Sequence, residues 1–266
     1  MSRNDSTGAH SRPCQQQTTR TIYIWDLDET LIIYQTLLDN SFATKFNKNG
    51  KVAELLGLRM EKLIFKVSEE YFLFNELEGD NVAHVSLTSK HDHEANVSNI
   101  GKHYADVEKT YDKYRNNMKS LLQKSDHRSW SKLLTYMDIL TESWRHLAIK
   151  SLALIHERSY GINILVTTTQ LVPTLAKLML YGLAKYFPID HVYSATDIGK
   201  RRCFEKIVNA FGKDAEYVVI GDRIHDKQAA EEMHFKFWKV QGHRDLMNIH
   251  RRIIHEKGNS ERGRSS

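Results

Sequence analysis

The chain has 266 residues, 41% of them hydrophobic, and a formal net charge of +5, enough for one large domain or a domain carrying an insert. The charge lies at the ends: Arg3, Arg12 and Arg20 against Asp5 leave +2 in residues 1–20, and Lys257, Arg262 and Arg264 against Glu261 leave +2 in residues 257–266. A nearly neutral body argues against direct nucleic-acid binding, no apolar stretch approaches the ~20 residues of a membrane span, and Cys14 and Cys203 alone cannot build a disulfide framework.

Residues 1–20 are rich in Ser, Thr, Gln and Arg and read as a disordered tail. They hold no apolar signal-peptide core, so the expected location is the nucleus and cytoplasm. Thr21 to Trp25 is the first predicted strand, and the carboxylates of Asp26 and Asp28 follow it directly, with Thr30 close behind. The next strand signal is Ile162 to Val166, which leaves residues 35–158 as an insert too long for one crossover. Within the insert, residues 79–103 read as a polar loop. Val107 to Leu122 reads as helical, with irregular spacing. Ser131 to Glu157 repeats apolar residues at helical spacing through Leu133, Met137, Leu140, Trp144, Leu147 and Ala148.

After the second strand come three threonines, Thr167 to Thr169, and a helix opening at Pro173 and running to about Lys185. His191 to Ser194 is a short strand, Arg201 to Phe211 a helix, and Tyr217 to Ile220 a strand ending at Gly221-Asp222. Phe235 to Val240 is the last strand, with a helix after it. Alternating strands and helices predict a parallel α/β sheet. The expected division is a core of 21–34 and 159–255, a helical cap at 35–158 and tails at 1–20 and 256–266.

Four polar pieces follow strands in order: Asp26/Asp28/Thr30, Thr168, Lys200, and Asp222 with Asp226. In a parallel sheet such positions converge on one crevice. Together they suit phosphoryl transfer, which needs positioning and charge stabilisation. Asp26 is the candidate nucleophile, and Asp28 the candidate general acid and base. Thr168 and Lys200 are candidates to hold phosphate, and Lys200 also counters the carboxylates. Asp26 and Asp222 are candidate ligands of Mg²⁺, a hard ion that prefers oxygen. Asp226 and Thr30 are supporting positions beside them.

The chain resembles the haloacid dehalogenase superfamily, through Asp26-Leu27-Asp28-Glu29-Thr30, Thr168, Lys200 and Gly221-Asp222 with Asp226. Within it, the chain is similar to the Eyes absent family of protein tyrosine phosphatases and transcriptional co-regulators. Trp25 to Thr30, Asn163 to Leu171, Leu180 to Leu183, Tyr193 to Thr196 and Tyr217 to Asp222 carry this likeness. The resemblance implies a Rossmann-like parallel sheet with a helical cap inserted between the first two strands. It implies Mg²⁺-dependent hydrolysis of phosphotyrosine proteins, with metal held by Asp26, Asp222 and the backbone carbonyl of Asp28. It also implies a homeodomain transcription factor of the Sine oculis class as partner. The chain departs from the family at Arg223, where the family has glycine; Arg223 either weakens metal binding or grips phosphate.

Other readings are weaker. Cys14 to Arg20 has the Cys-x5-Arg spacing of thiol phosphatases but lies in a glutamine tail without glycines. The histidines of 84–103 are irregularly spaced for zinc. A small-metabolite phosphatase shares the same catalytic residues, and a docking module with weakened activity stands as the non-enzymatic alternative.

Overall fold

The computed structural model describes residues 20–72, 99–159 and 161–262. Five strands form one parallel sheet: β1 (Thr21–Trp25), β2 (Gly161–Thr167), β3 (Val192–Ser194), β4 (Glu216–Gly221) and β5 (Lys236–Lys239), in the order β3-β2-β1-β4-β5. Helices α1 (Gln35–Leu38), α2 (Ser41–Lys45), α3 (Gly50–Phe72), α4 (Asn99–Tyr114), α5 (Lys124–Leu140) and α6 (Trp144–His156) lie between β1 and β2. The remaining helices are α7 (Leu171–Leu180), α8 (Gly199–Phe211), α9 (Ile224–Glu232) and α10 (His243–Arg262).

The sheet is apolar on both faces because its strands alternate two buried sets of side chains. Ile22, Ile24, Ile164, Val166 and Val219 pack with Phe204 and Ile207 of α8 and Ala229 and Ala230 of α9. Tyr23, Trp25, Leu165, Val218 and Ile220 face the other way. There they join one continuous core with α7, α10 and the helices of the insert, among them Leu56, Met60, Tyr111, Trp130, Met137 and Leu152. Each such side chain, fully buried, contributes about 1.5–3 kcal/mol. The chain steps outward from β1 to β2 to β3, then returns to β4 on the other flank of β1. The reversal lies between β1 and β4, which is where open α/β sheets bind ligands.

Several boundaries differ from those expected from sequence. The stretch Ser131 to Glu157 is two helices, broken where Glu142 (φ 49°) and Ser143 (φ 61°) take left-handed backbone. The break turns Trp144 inward, and its indole Nε1 donates to the Thr30 carbonyl at 3.0 Å. Helix α4 starts at Asn99, inside the stretch read as loop, and stops at Tyr114; one turn at Met118–Ser120 follows. The expected loop at 79–98 and most of the histidine-rich stretch lie outside the described residues. Helix α7 opens two residues before Pro173, which sits harmlessly in its first turn, and ends at Leu180 before Gly182 (φ 71°). Helix α10 continues to Arg262, through residues read as a tail.

The 23-residue helix α3 has no counterpart among the elements expected from sequence. Its buried stripe, Ala53, Leu56, Met60, Ile64 and Val67, has helical spacing, but Val52, Leu55, Leu58 and Phe65 are exposed on the opposite side.

Beside β1, the buried Asn163 side chain ties three elements together. Its Oδ1 accepts from Trp25 Nε1 and its Nδ2 donates to the Leu152 carbonyl of α6, both at 3.0 Å. Replacing Asn163→Leu orphans the buried Trp25 indole N–H and removes the side-chain bond to the Leu152 carbonyl, untying α6 from the strands. We expect urea unfolding to show a loss of about 2–4 kcal/mol; a loss under about 1 kcal/mol would mean that this tie does not secure the strand.

Candidate active site

The site begins where β1 ends. Trp25 pairs with Ile220 in register, and the Asp26 amide donates to the Ile220 carbonyl at 2.9 Å, carrying the ladder one residue past the strand. Asp26 is thereby set beside Gly221 and Asp222 at the end of β4. The chain then tightens: the amides of Leu31 and Ile32 both return to the Leu27 carbonyl, and Glu29 takes left-handed backbone (φ 63°). Glu29 Oε1 accepts from the amides of Tyr34 and Thr36 and from the Thr36 hydroxyl, which secures the exit of the loop.

Asp26, Asp222 and Asp226 offer carboxylate oxygens that all lie within 4.8 Å of one another, the group of this kind found among the described residues. Lys200, in the first turn of α8, donates to Asp26 Oδ1 at 2.6 Å and also bonds Asp226 Oδ1. The Thr30 hydroxyl lies 3.5 Å from Asp26 Oδ2 and 3.4 Å from Asp222 Oδ1, long contacts that share a single proton. Asp226 also accepts from the Arg223 amide at 3.1 Å, capping the start of α9.

Gly221 makes this approach possible. A Cβ there would lie 2.4 Å from Asp226 Oδ2 and 2.5 Å from its Cγ, so any side chain would push Asp226 off Lys200.

Three carboxylates against one ammonium leave excess negative charge in a largely buried place. Burial pushes the Asp26 carboxyl up to about 7; Lys200 opposes this and the neighbouring Asp226 and Asp222 reinforce it. Asp222 is also raised by burial, with Arg223 opposing. Burial pulls Lys200 down, but Asp26 and Asp226 outweigh it and leave the ammonium above its ordinary value. An all-oxygen donor set that repels itself fits a hard divalent cation, which would neutralise the excess.

The other sequence-identified residues stand around this cluster. Asp28 turns away from it: both its oxygens accept from Lys177 Nζ, at 2.9 and 2.8 Å, and Oδ2 also accepts from the Thr169 hydroxyl at 3.1 Å. Thr168 is exposed, and its carbonyl accepts from the Thr196 hydroxyl at 3.0 Å. Arg223 is half exposed, with its guanidinium 3.7 Å from Glu29 Oε2 and 4.0 Å from Asp222 Oδ1. Sequence reasoning missed Lys177 and Thr169. The available signal was a lone cation, Lys177, inside the apolar run of α7, where a buried charge must have a partner.

This fold, with these acidic strand ends and their buried lysine, defines the class of haloacid dehalogenase-like hydrolases, and the family model of that description matches residues 21–234. Protein phosphatase EYA1 of Mus musculus is 39% identical over 86% of this chain and 44% of its own length. Protein phosphatase EYA3 of Homo sapiens is 37% identical over 92% of this chain and 48% of its own length. Protein phosphatase eya of Drosophila melanogaster is 32% identical over 86% of this chain and 34% of its own length. The chain belongs to the Eyes absent family of these hydrolases, and it spans about half or less of the length of these curated relatives.

The raised Asp26 gives a pH test. Below about pH 7 the native carboxyl holds a proton that the unfolded chain releases near its ordinary ~3.9. The native state therefore binds more protons in that window, and stability falls as pH rises through about 7. In metal-free protein, wild type should lose stability relative to Asp26→Asn between about pH 5 and about pH 8. An unchanged difference in urea midpoints across that range would contradict the assignment.

Proposed function

We propose that the chain is a Mg²⁺-dependent protein tyrosine phosphatase that works through an aspartyl-phosphate on Asp26. The observation that carries this reading is the separation of two carboxylates only two residues apart. Asp26 sits with Asp222, Asp226 and Lys200, while Asp28 is held on another cation, Lys177. That separation supports a division of labour in which Asp26 attacks and Asp28 handles protons.

In the first half-reaction an Asp26 oxygen bonds phosphorus as the bond from phosphorus to the tyrosyl oxygen breaks. For the phenol to leave, Asp28 must first take up a proton from solvent, which it then passes to the tyrosyl oxygen. In the second half, a water oxygen attacks phosphorus, Asp28 takes the proton back, and the bond to Asp26 breaks to free inorganic phosphate. Lys200 balances the carboxylates and the incoming dianion, and Thr168, exposed just after β2, is the candidate to hold phosphate oxygens. Asp26, Asp222, Asp226 and the backbone of Asp28 are the groups that would hold Mg²⁺. When bound, the ion lowers the repulsion between carboxylates and phosphate and favours the ionised nucleophile. The relatives' description as protein phosphatases supports the substrate class.

A second role, as co-regulator bound to a homeodomain protein of the Sine oculis class in the nucleus, is favoured by one observation. Val52, Leu55, Leu58 and Phe65 leave an exposed apolar stripe along α3, the kind of surface that marks a protein contact.

Phosphate release from a phosphotyrosine peptide, with and without Mg²⁺, tests the catalytic reading. Release should require Mg²⁺ and fall by at least about a thousandfold in Asp26→Asn, the scale of a lost nucleophile. Undiminished release by that variant would overturn the aspartate mechanism, and no release by wild type at high Mg²⁺ would overturn the phosphatase reading.

A further inference from the structure

We infer that Lys177 is a positioning residue that fixes Asp28 for its proton transfers; this rests on the catalytic reading of Asp28 given above. Lys177 Nζ donates to Asp28 Oδ1 at 2.9 Å and Oδ2 at 2.8 Å, and lies 3.4 Å from the Thr169 hydroxyl. That hydroxyl donates in turn to Asp28 Oδ2 at 3.1 Å, closing a triangle. The three ammonium protons then have three acceptors. The ring of Tyr34 covers the ammonium, 4.4 Å from Nζ to its centroid, and screens it from water. Tyr34 is held by Glu29 Oε1 on its amide, and Thr169 by the hydroxyls of Ser194 and Thr174 on its carbonyl, at 2.9 and 3.3 Å.

Stability alone does not account for this pair. The Lys177 side chain is 6% exposed and that of Asp28 13%, so both charges have lost most of their hydration. An apolar pair of equal volume commonly serves a buried site as well or better. What the ammonium provides is direction. It draws Asp28 away from the acidic cluster to which Lys200 holds Asp26, so that the two carboxylates do not collapse onto one cation. Both Asp28 oxygens are thereby fixed, as those of a proton-transfer group must be.

The test is a double-mutant cycle on phosphate release from a phosphotyrosine peptide at saturating Mg²⁺, using wild type, Lys177→Met, Asp28→Asn and the double variant. Lys177→Met should lower kcat by about 100-fold, the scale of a misplaced catalytic group, with KM changed by less than about threefold because the groups that face phosphate are untouched. In the Asp28→Asn background, Lys177→Met should change kcat by less than about threefold, since a residue acting through Asp28 has nothing left to position. The double variant carries no unpaired charge, so it remains informative if Lys177→Met alone unfolds. Independent, multiplying losses would overturn the role of Lys177 and leave the phosphatase reading intact. Wild type without activity would remove both.

Discussion

The buried ammonium of Lys200, held between Asp26 and Asp226, is the interaction on which the site depends. Each partner comes from a different element: Asp26 from the end of β1, Asp226 from the first turn of α9, Lys200 from the first turn of α8. Two buried carboxylates near each other would otherwise have one proton between them. The lysine lets them stay close, and Asp222, one residue past β4, completes an acidic group that a single ammonium cannot neutralise. That residual charge makes the place suitable for a divalent cation and costs the metal-free protein stability when Asp26 ionises.

The insert between β1 and β2 is part of this arrangement. Its helices share one apolar core with a face of the sheet, and its polar tips bond carbonyls of the site loop and of the segment from α7 to β3. Trp144 Nε1 bonds the Thr30 carbonyl, Trp130 Nε1 the Leu180 carbonyl at 2.9 Å, and Tyr111 Oη the Phe187 carbonyl at 2.9 Å. The loop that carries Asp28, Glu29 and Thr30 is thus braced from the insert while Lys177 braces it from α7. Buried aromatic groups with one polar end suit this task, because the ring fills the core and the tip fixes direction.

Much of this was legible in the sequence. The strands stood out because buried parallel strands are short apolar runs, and residues ending such runs are where a parallel sheet gathers its chemistry. Asp26 and Asp222 were found that way, Lys200 and Asp226 by their order and spacing after such ends, and the four meet in the structure. Helix α3 was passed over although its buried stripe, Ala53, Leu56, Met60, Ile64 and Val67, has helical spacing, because the exposed apolar residues Val52, Leu55, Leu58 and Phe65 lie among them in the sequence. The break in 131–157 was hidden for the opposite reason: the apolar spacing continues across Glu142 and Ser143, and only backbone conformation separates the helices. Lys177 was missed because it lies in the second turn of α7 and not at a strand end, and its only signal was a charge inside an apolar helix.

The close approach of β1, β4 and α9 builds one acidic group able to hold a divalent cation beside Asp26. Gly221 is its narrowest point, since only a residue without Cβ lets Asp226 reach Lys200. Calorimetric titration of Mg²⁺ into wild type and Gly221→Ala tests this directly. The account predicts one Mg²⁺ site in wild type and an affinity at least about tenfold weaker in the variant. Equal affinity in the two proteins would contradict it.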